Sequence, residues 1–174
     1  LGALPAVNRK ETFKDNKIEM RQGIYKNEFT KQQETPKASV FAFYNGDCKY
    51  DLRNNLLLSM TSQILDLVYT EKVREDEGGT YGVYVGGTLQ KYPKEKAILQ
   101  IIFDTAPEKK EKLMKIIFGE IDNITKTGPS EANLNKVKEY MLKKHTEDLK
   151  ENSYWLGSID EYLYTGMNRM NDYE

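Results

Sequence analysis

The chain is poor in the residues that build metal and disulfide chemistry: its 174 residues hold one cysteine, one histidine and one tryptophan. A lone Cys48 excludes an intrachain disulfide and any cysteine cluster around a metal, and a small buried hydrophobe is its expected role. A lone His145 cannot supply the paired imidazoles of a hydrolytic zinc site, and neighbouring Glu147 and Asp148 do not replace the missing ring. His145 therefore reads as solvated or half-packed. Charge of one sign is also lacking, since 26 basic residues stand against 27 acidic ones for a formal net charge of -1. Such a balance leaves no overall field to draw in nucleic acid. Lys109-Lys110 and Lys143-Lys144 lie beside acids in helical patterns, where pairing along a solvated face accounts for them. No apolar run approaches the roughly 20 residues that cross a bilayer, and the opening residues lack the regions of a secretory signal.

What is present reads as one globular unit with alternating helical and strand patterns. Residues 1–22 are polar and mixed, with Pro5 and scattered charges, and read as a linker. Residues 23–31 and 38–45 look extended, and Val40–Tyr44 is dense enough in β-formers for an inner strand. A helix from about Asp51 to Arg74 carries Leu57, Met60, Ile64, Leu67 and Val68 at helical spacing. From Thr80 to Leu89 the chain alternates, with Tyr81, Val83, Val85, Gly87 and Leu89 on one face and Thr80, Gly82, Tyr84, Gly86 and Thr88 on the other. Tyr92-Pro93-Lys94-Glu95 then makes a hairpin loop into a strand from Ala97 to Thr105.

Pro107 suits a first helical turn, and Leu113, Ile116, Ile117, Ile121 and Ile124 form one stripe that Thr127-Gly128 stops. Ser130 is a ready N-cap for a third helix marked by Leu134, Val137, Met141 and Leu149, which continues or breaks near Asn152. Tyr154, Trp155, Ile159, Tyr162 and Leu163 look like a further apolar face, and with Tyr164 and Tyr173 they suit core packing or an interface. The order β-β-α-β-β-α-α with short strand connections predicts a two-layer α+β fold, an antiparallel sheet covered on one face by helices.

The stretch Arg74-Glu-Asp-Glu-Gly-Gly-Thr-Tyr81 joins the long helix to the hairpin. Two glycines suit the left-handed backbone that favours a helix C-terminus, and such a turn is able to aim Arg74 and Tyr81 at one point. A guanidinium offers fixed N–H donors and a phenol one more, so the pair suits a polarised carbonyl. The plainer reading stands beside it: an arginine at a helix end serves the macrodipole, and a tyrosine opening a strand packs half-buried. Gly78 to Gly87 is not a phosphate cradle, because such loops follow a strand and open a helix, and here the order is reversed.

Val73-Arg74-Glu75-Asp76-Glu77-Gly78-Gly79-Thr80-Tyr81-Gly82-Val83 after a long helix resembles the second half-domain of pitrilysin/insulinase-type zinc peptidases. Leu1-Gly2-Ala3-Leu4-Pro5 resembles the close of the linker before that half-domain, and Gly128-Pro129-Ser130-Glu131 with its long helix resembles its later portion. Asn152-Ser153-Tyr154-Trp155-Leu156 resembles the tail of that helix in bacterial members, so the resemblance covers nearly the whole chain. It implies that residues 23–174 are one α+β half-domain, C-terminally incomplete and part of a longer chain. It further implies that Arg74 and Tyr81 reach across to the zinc site of the first half and grip the substrate backbone.

One departure bears on activity. The family's zinc signature is His-x-x-Glu-His on a helix, with two histidines for the metal and a glutamate for its water. That signature is missing here, so the resemblance implies zinc in the other half, a chain inactive alone, and partnership with the zinc-bearing half of the same chain or of a second subunit. The implied substrate is a peptide or small protein, and the implied compartment is the periplasm. Two alternatives stay open: a half-domain of a catalytically inactive relative acting as a scaffolding or interaction subunit, and an unrelated α+β interaction module. A His-x-x-Glu-His upstream separates the enzyme from both.

Overall fold

The structure, a computed structural model, describes residues 12, 14, 16–77 and 82–169, with only the backbone of residues 74–77. Its elements run β1 (Ala38–Asp47), α1 (Leu52–Glu77), β2 (Val83–Gln90), β3 (Lys96–Thr105), a 3-10 turn (Pro107–Lys109), α2 (Lys110–Thr127), α3 (Glu131–Asp148) and α4 (Asn152–Thr165). The strands form one antiparallel sheet in the order β1-β3-β2, with α1 and α2 packed on one face and α3 on α1, so the fold is α+β.

Pleat alternation decides which side chains meet the helices. Val40, Phe103 and Val83 stand opposite one another across the three strands, as do Ala42, Ile101 and Val85. These rows pack with Leu65, Tyr69, Val73, Leu113 and Ile117 into the main core. The other face carries Phe41 and Tyr84 opposite Ile102, and it stays open, with Phe41, Phe43 and Tyr84 all exposed.

Helix α1 owes its position to apolar residues on two sides. One row faces the sheet and α2, and a second, with Ile64 and Val68, packs on Val137 of α3. An apolar pattern on two faces defeats any single-stripe reading of α1. The stripe read from the sequence follows the α3 side through Met60, Ile64, Leu67 and Val68, while Leu57 is exposed. At the start of α1 the Asn54 N–H donates to Asp51 Oδ1 at 2.9 Å, an N-cap that holds the Asp51 carboxyl below its ordinary range.

Later boundaries follow their local signals. Helix α2 stops at Gly128, whose φ of 76° an L side chain rarely adopts. Ser130 Oγ accepts the Asn133 N–H at 3.2 Å and starts α3. The third helix breaks at residues 149–151, and Trp155 Nε1 of α4 donates back to the Leu149 carbonyl at 2.9 Å across that corner.

Three readings from the sequence are corrected. Residues 23–31 form no strand and are exposed throughout. Ile24, Tyr25 and Phe29 fall on both parities of an extended chain, which leaves no one face to bury. Val40–Tyr44 lies in an edge strand among the described residues, because β1 and β2 both pair with β3, which is central. Richness in β-formers reports burial against a neighbour and is blind to strand order. The observed order accordingly has one strand fewer before α1 and one helix more at the end. Cys48, expected in the core, is half-buried just beyond the end of β1.

Candidate functional site

The candidate site lies where α1 ends and β2 begins, and its footing is the last turns of α1. Leu65, Tyr69 and Val73 recur every fourth residue, which stacks them along one side of the helix. All three are buried, Tyr69 at 1% exposure and Val73 at 2%. The Tyr69 hydroxyl donates to the Ile117 carbonyl of α2 at 3.0 Å, so a phenol in the core is satisfied. Burial pushes the Tyr69 phenol far above its ordinary range, with nearby Tyr44 and Glu120 adding to the shift, and the group remains a neutral donor. One turn further along, Lys72 pairs with Glu120 of α2, and Glu71 faces Lys136 of α3 at 3.6 Å.

Across from this helix end stands β2. Gly82, with φ of 127°, leads into the strand, and Val83 is the first residue in register, opposite Phe103. At Gly87 the strand runs close against α1. A Cβ there would stand 2.5 Å from Ser62 Oγ and 2.7 Å from Leu58 Cγ, both on α1, so a side chain at this position would force those neighbours to shift. Gly86 points the other way, beneath the Tyr84 ring, whose hydroxyl lies 2.6 Å from where a Cβ would be.

Of the two donors singled out in the sequence, Arg74 belongs to the last turn of α1, directly after buried Val73. Its backbone is thereby fixed in a helix packed on the sheet and on α2. Tyr81, with the Gly78-Gly79 turn, lies outside the described residues. The structure thus supplies the two elements that the turn connects. Arg74 is the single cation in the sequence from Val73 to Glu77, followed by Glu75, Asp76 and Glu77. Acids at a helix C-terminus oppose the macrodipole, a local conflict that marks this helix end as unusual. Sequence reasoning missed Tyr69, Lys72 and Glu120; the four-residue spacing of Leu65, Tyr69 and Val73 was the signal for the first.

Among the described residues the donor set does not fit zinc. His145 stands in the last turn of α3, half-buried, its ring edge-on to Tyr154 at 5.8 Å between centroids. Among the described residues no group of three or more His, Cys, Asp and Glu side chains is placed to hold a metal ion. Nor is any helix there long and apolar enough to cross a membrane.

Among the described residues, two of the exposed apolar surfaces lie on the sheet and on α4. One is the open sheet face of Phe41, Phe43 and Tyr84; the other runs along α4 through Leu156, Ile159 and Leu163. Helix α4 is held by its C-terminal end, where Tyr50 donates to Glu161 Oε1 at 2.7 Å and Lys91 bonds the Thr165 carbonyl. Tyr92 meets Tyr164 edge-on at 5.4 Å.

Comparison with known proteins places this geometry. The periplasmic protease PqqL from Escherichia coli aligns over 75% of this chain and 15% of its own, at 19% identity and a TM-score of 0.65. The ferredoxin protease FusC, solved in complex with Arabidopsis ferredoxin, aligns over 77% of this chain and 15% of its own, at 15% identity and a TM-score of 0.63. A peptidase M16 inactive domain from Pseudomonas fluorescens aligns over 64% of this chain and 27% of its own, at 25% identity and a TM-score of 0.54. The first two likenesses establish fold, and the chain spans about 15% of the length of either protease. Among curated proteins no significant match is found. The model of the family described as peptidase M16 inactive domain matches residues 2–141, and with four-fifths of the chain under that match, this protein belongs to the M16 inactive-domain family.

Proposed function

We propose that this chain is the substrate-binding, non-metal half of a zinc-dependent endopeptidase, acting within a longer parent chain. The observation that carries the reading is the placement of Arg74, at the end of a helix anchored on two sides, within a chain of the M16 inactive-domain family. The planar guanidinium carries a fork of donors that matches a peptide carbonyl, and it loses less freedom per hydrogen bond formed than a lysine does. In this reading Arg74 fixes the substrate backbone. Tyr81 donates its hydroxyl to the carbonyl oxygen as negative charge develops there. In this reading zinc belongs to the other half, as a sequence with a single histidine implies.

Several features support the rest of the reading. The exposed apolar sheet face and the Leu156–Ile159–Leu163 row of α4 suit a partner half, because contiguous apolar surface of this kind marks an interface. Strand β2 has a free edge among the described residues and no charge or proline from Val83 to Gln90, so an extended peptide is able to add as a further strand. Substrates of peptide or small-protein class fit such an edge, and the ferredoxin bound to FusC is in keeping with them. A periplasmic location rests on PqqL.

Photo-crosslinking tests the grip. A non-hydrolysed peptide carrying benzoylphenylalanine, bound to the parent chain and irradiated, is expected to label the segment from Val73 to Gln90. Labels confined to other parts of the parent would overturn the assignment.

A further inference from the structure

The last turns of α1 carry two polar ties to α2 besides their apolar packing. A phenylalanine at position 69 would fill the same core space, yet the chain carries a phenol whose hydroxyl spans to the Ile117 carbonyl on α2 at 3.0 Å. That carbonyl lies within the hydrogen-bond ladder of α2, so the bond is an addition, and it ties one helix to a single point on the other. Three residues on, Lys72 repeats the tie to α2 through Glu120, whose side chain is largely buried at 15% exposure. Both contacts bear on how α1 is rotated against α2, the buried Tyr69 bond more than the pair, whose Lys72 is 49% exposed. Arg74 follows two residues after Lys72, about 3 Å along the axis at the helical rise.

We propose that Tyr69 and the Lys72–Glu120 pair are positioning residues for Arg74, setting the angle and reach with which the last turn of α1 presents its guanidinium to the substrate. The inference rests on the substrate-gripping reading of Arg74 and deepens it. Its physical basis is geometric: a helix that rolls on its neighbour moves a long terminal side chain by more than the roll at its axis. A misplacement of about 1 Å at a binding group is able to cost up to roughly 100-fold in rate.

The test is a double-mutant cycle in the parent chain. Tyr69→Phe removes one hydroxyl and keeps the ring, and Glu120→Gln removes the charge of the pair at the rim of the core. Each is combined with Arg74→Ala, and kcat and KM for a peptide are measured beside the melting temperature. A purely structural role predicts the same factor in both backgrounds, because lost stability does not depend on Arg74. The positioning role predicts a fall of about tenfold in kcat/KM with Arg74 present and less than twofold with Arg74→Ala in place.

Equal factors in the two backgrounds, or wild-type rates for both folded variants, would overturn the inference. Should Tyr69→Phe fail to fold, Glu120→Gln carries the same comparison. An Arg74→Ala parent with wild-type kinetics would sink the gripping reading and this inference together. A large Arg74→Ala loss with indifferent Tyr69→Phe and Glu120→Gln would sink this inference alone.

Discussion

Arg74→Ala in the parent chain is expected to lower kcat/KM for peptide hydrolysis about 100-fold, and Tyr81→Phe by a similar factor, since one aligned donor is worth roughly 3 kcal/mol in a transition state. The two variants are expected to differ in how the loss divides. A backbone grip acts on bound substrate and transition state alike, so Arg74→Ala raises KM more than it lowers kcat. A hydroxyl that meets charge only as it develops acts late, so Tyr81→Phe lowers kcat with KM little changed. Circular dichroism and unfolding curves confirm that each variant is folded. Wild-type kinetics in both would leave a likeness of fold without a shared role.

Phe103→Ala is expected to destabilise the 174-residue chain by about 3–5 kcal/mol, the range for emptying a buried aromatic site. Phe103 is 2% exposed at the centre of the sheet, opposite both Val40 and Val83, so no neighbour is free to close the space. Phe41→Ala, on the open face at 61% exposure, is expected to cost under about 1 kcal/mol in the same chain. Urea unfolding with linear extrapolation measures both. Equal costs would contradict the division of the sheet into a packed and an open face.

The faces of β2 were legible in advance because a pleated strand has period two and needs no tertiary information. Val83, Val85 and Gly87 do face the helices, and Tyr84 and Gly86 the open side. Caps were equally legible, as at Ser130, whose hydroxyl accepts from Asn133 three residues on. Strand order was not, because Val40 to Tyr44 looks the same at a sheet edge as at its centre. The full burial of α1 was also hidden, since Leu65, Tyr69 and Val73 serve one neighbour and Ile64 and Val68 another. At the candidate site, the sequence pointed to Arg74 and Tyr81 through local text and family resemblance. The contacts that tie the end of α1 to α2 join residues 48 apart in sequence, where no local pattern announces them.

One measurement bears most directly on the claim that this chain serves as the metal-free, substrate-binding half of a peptidase. Hydrolysis of an unstructured peptide is followed for the parent chain with zinc, for the parent after chelation, and for the 174-residue chain alone with zinc added. The account predicts turnover by the zinc-loaded parent, its loss on chelation, and none by the chain alone at any zinc concentration. Turnover by the chain alone, or a parent whose zinc-loaded form hydrolyses nothing, would contradict it, the second result favouring a scaffolding subunit.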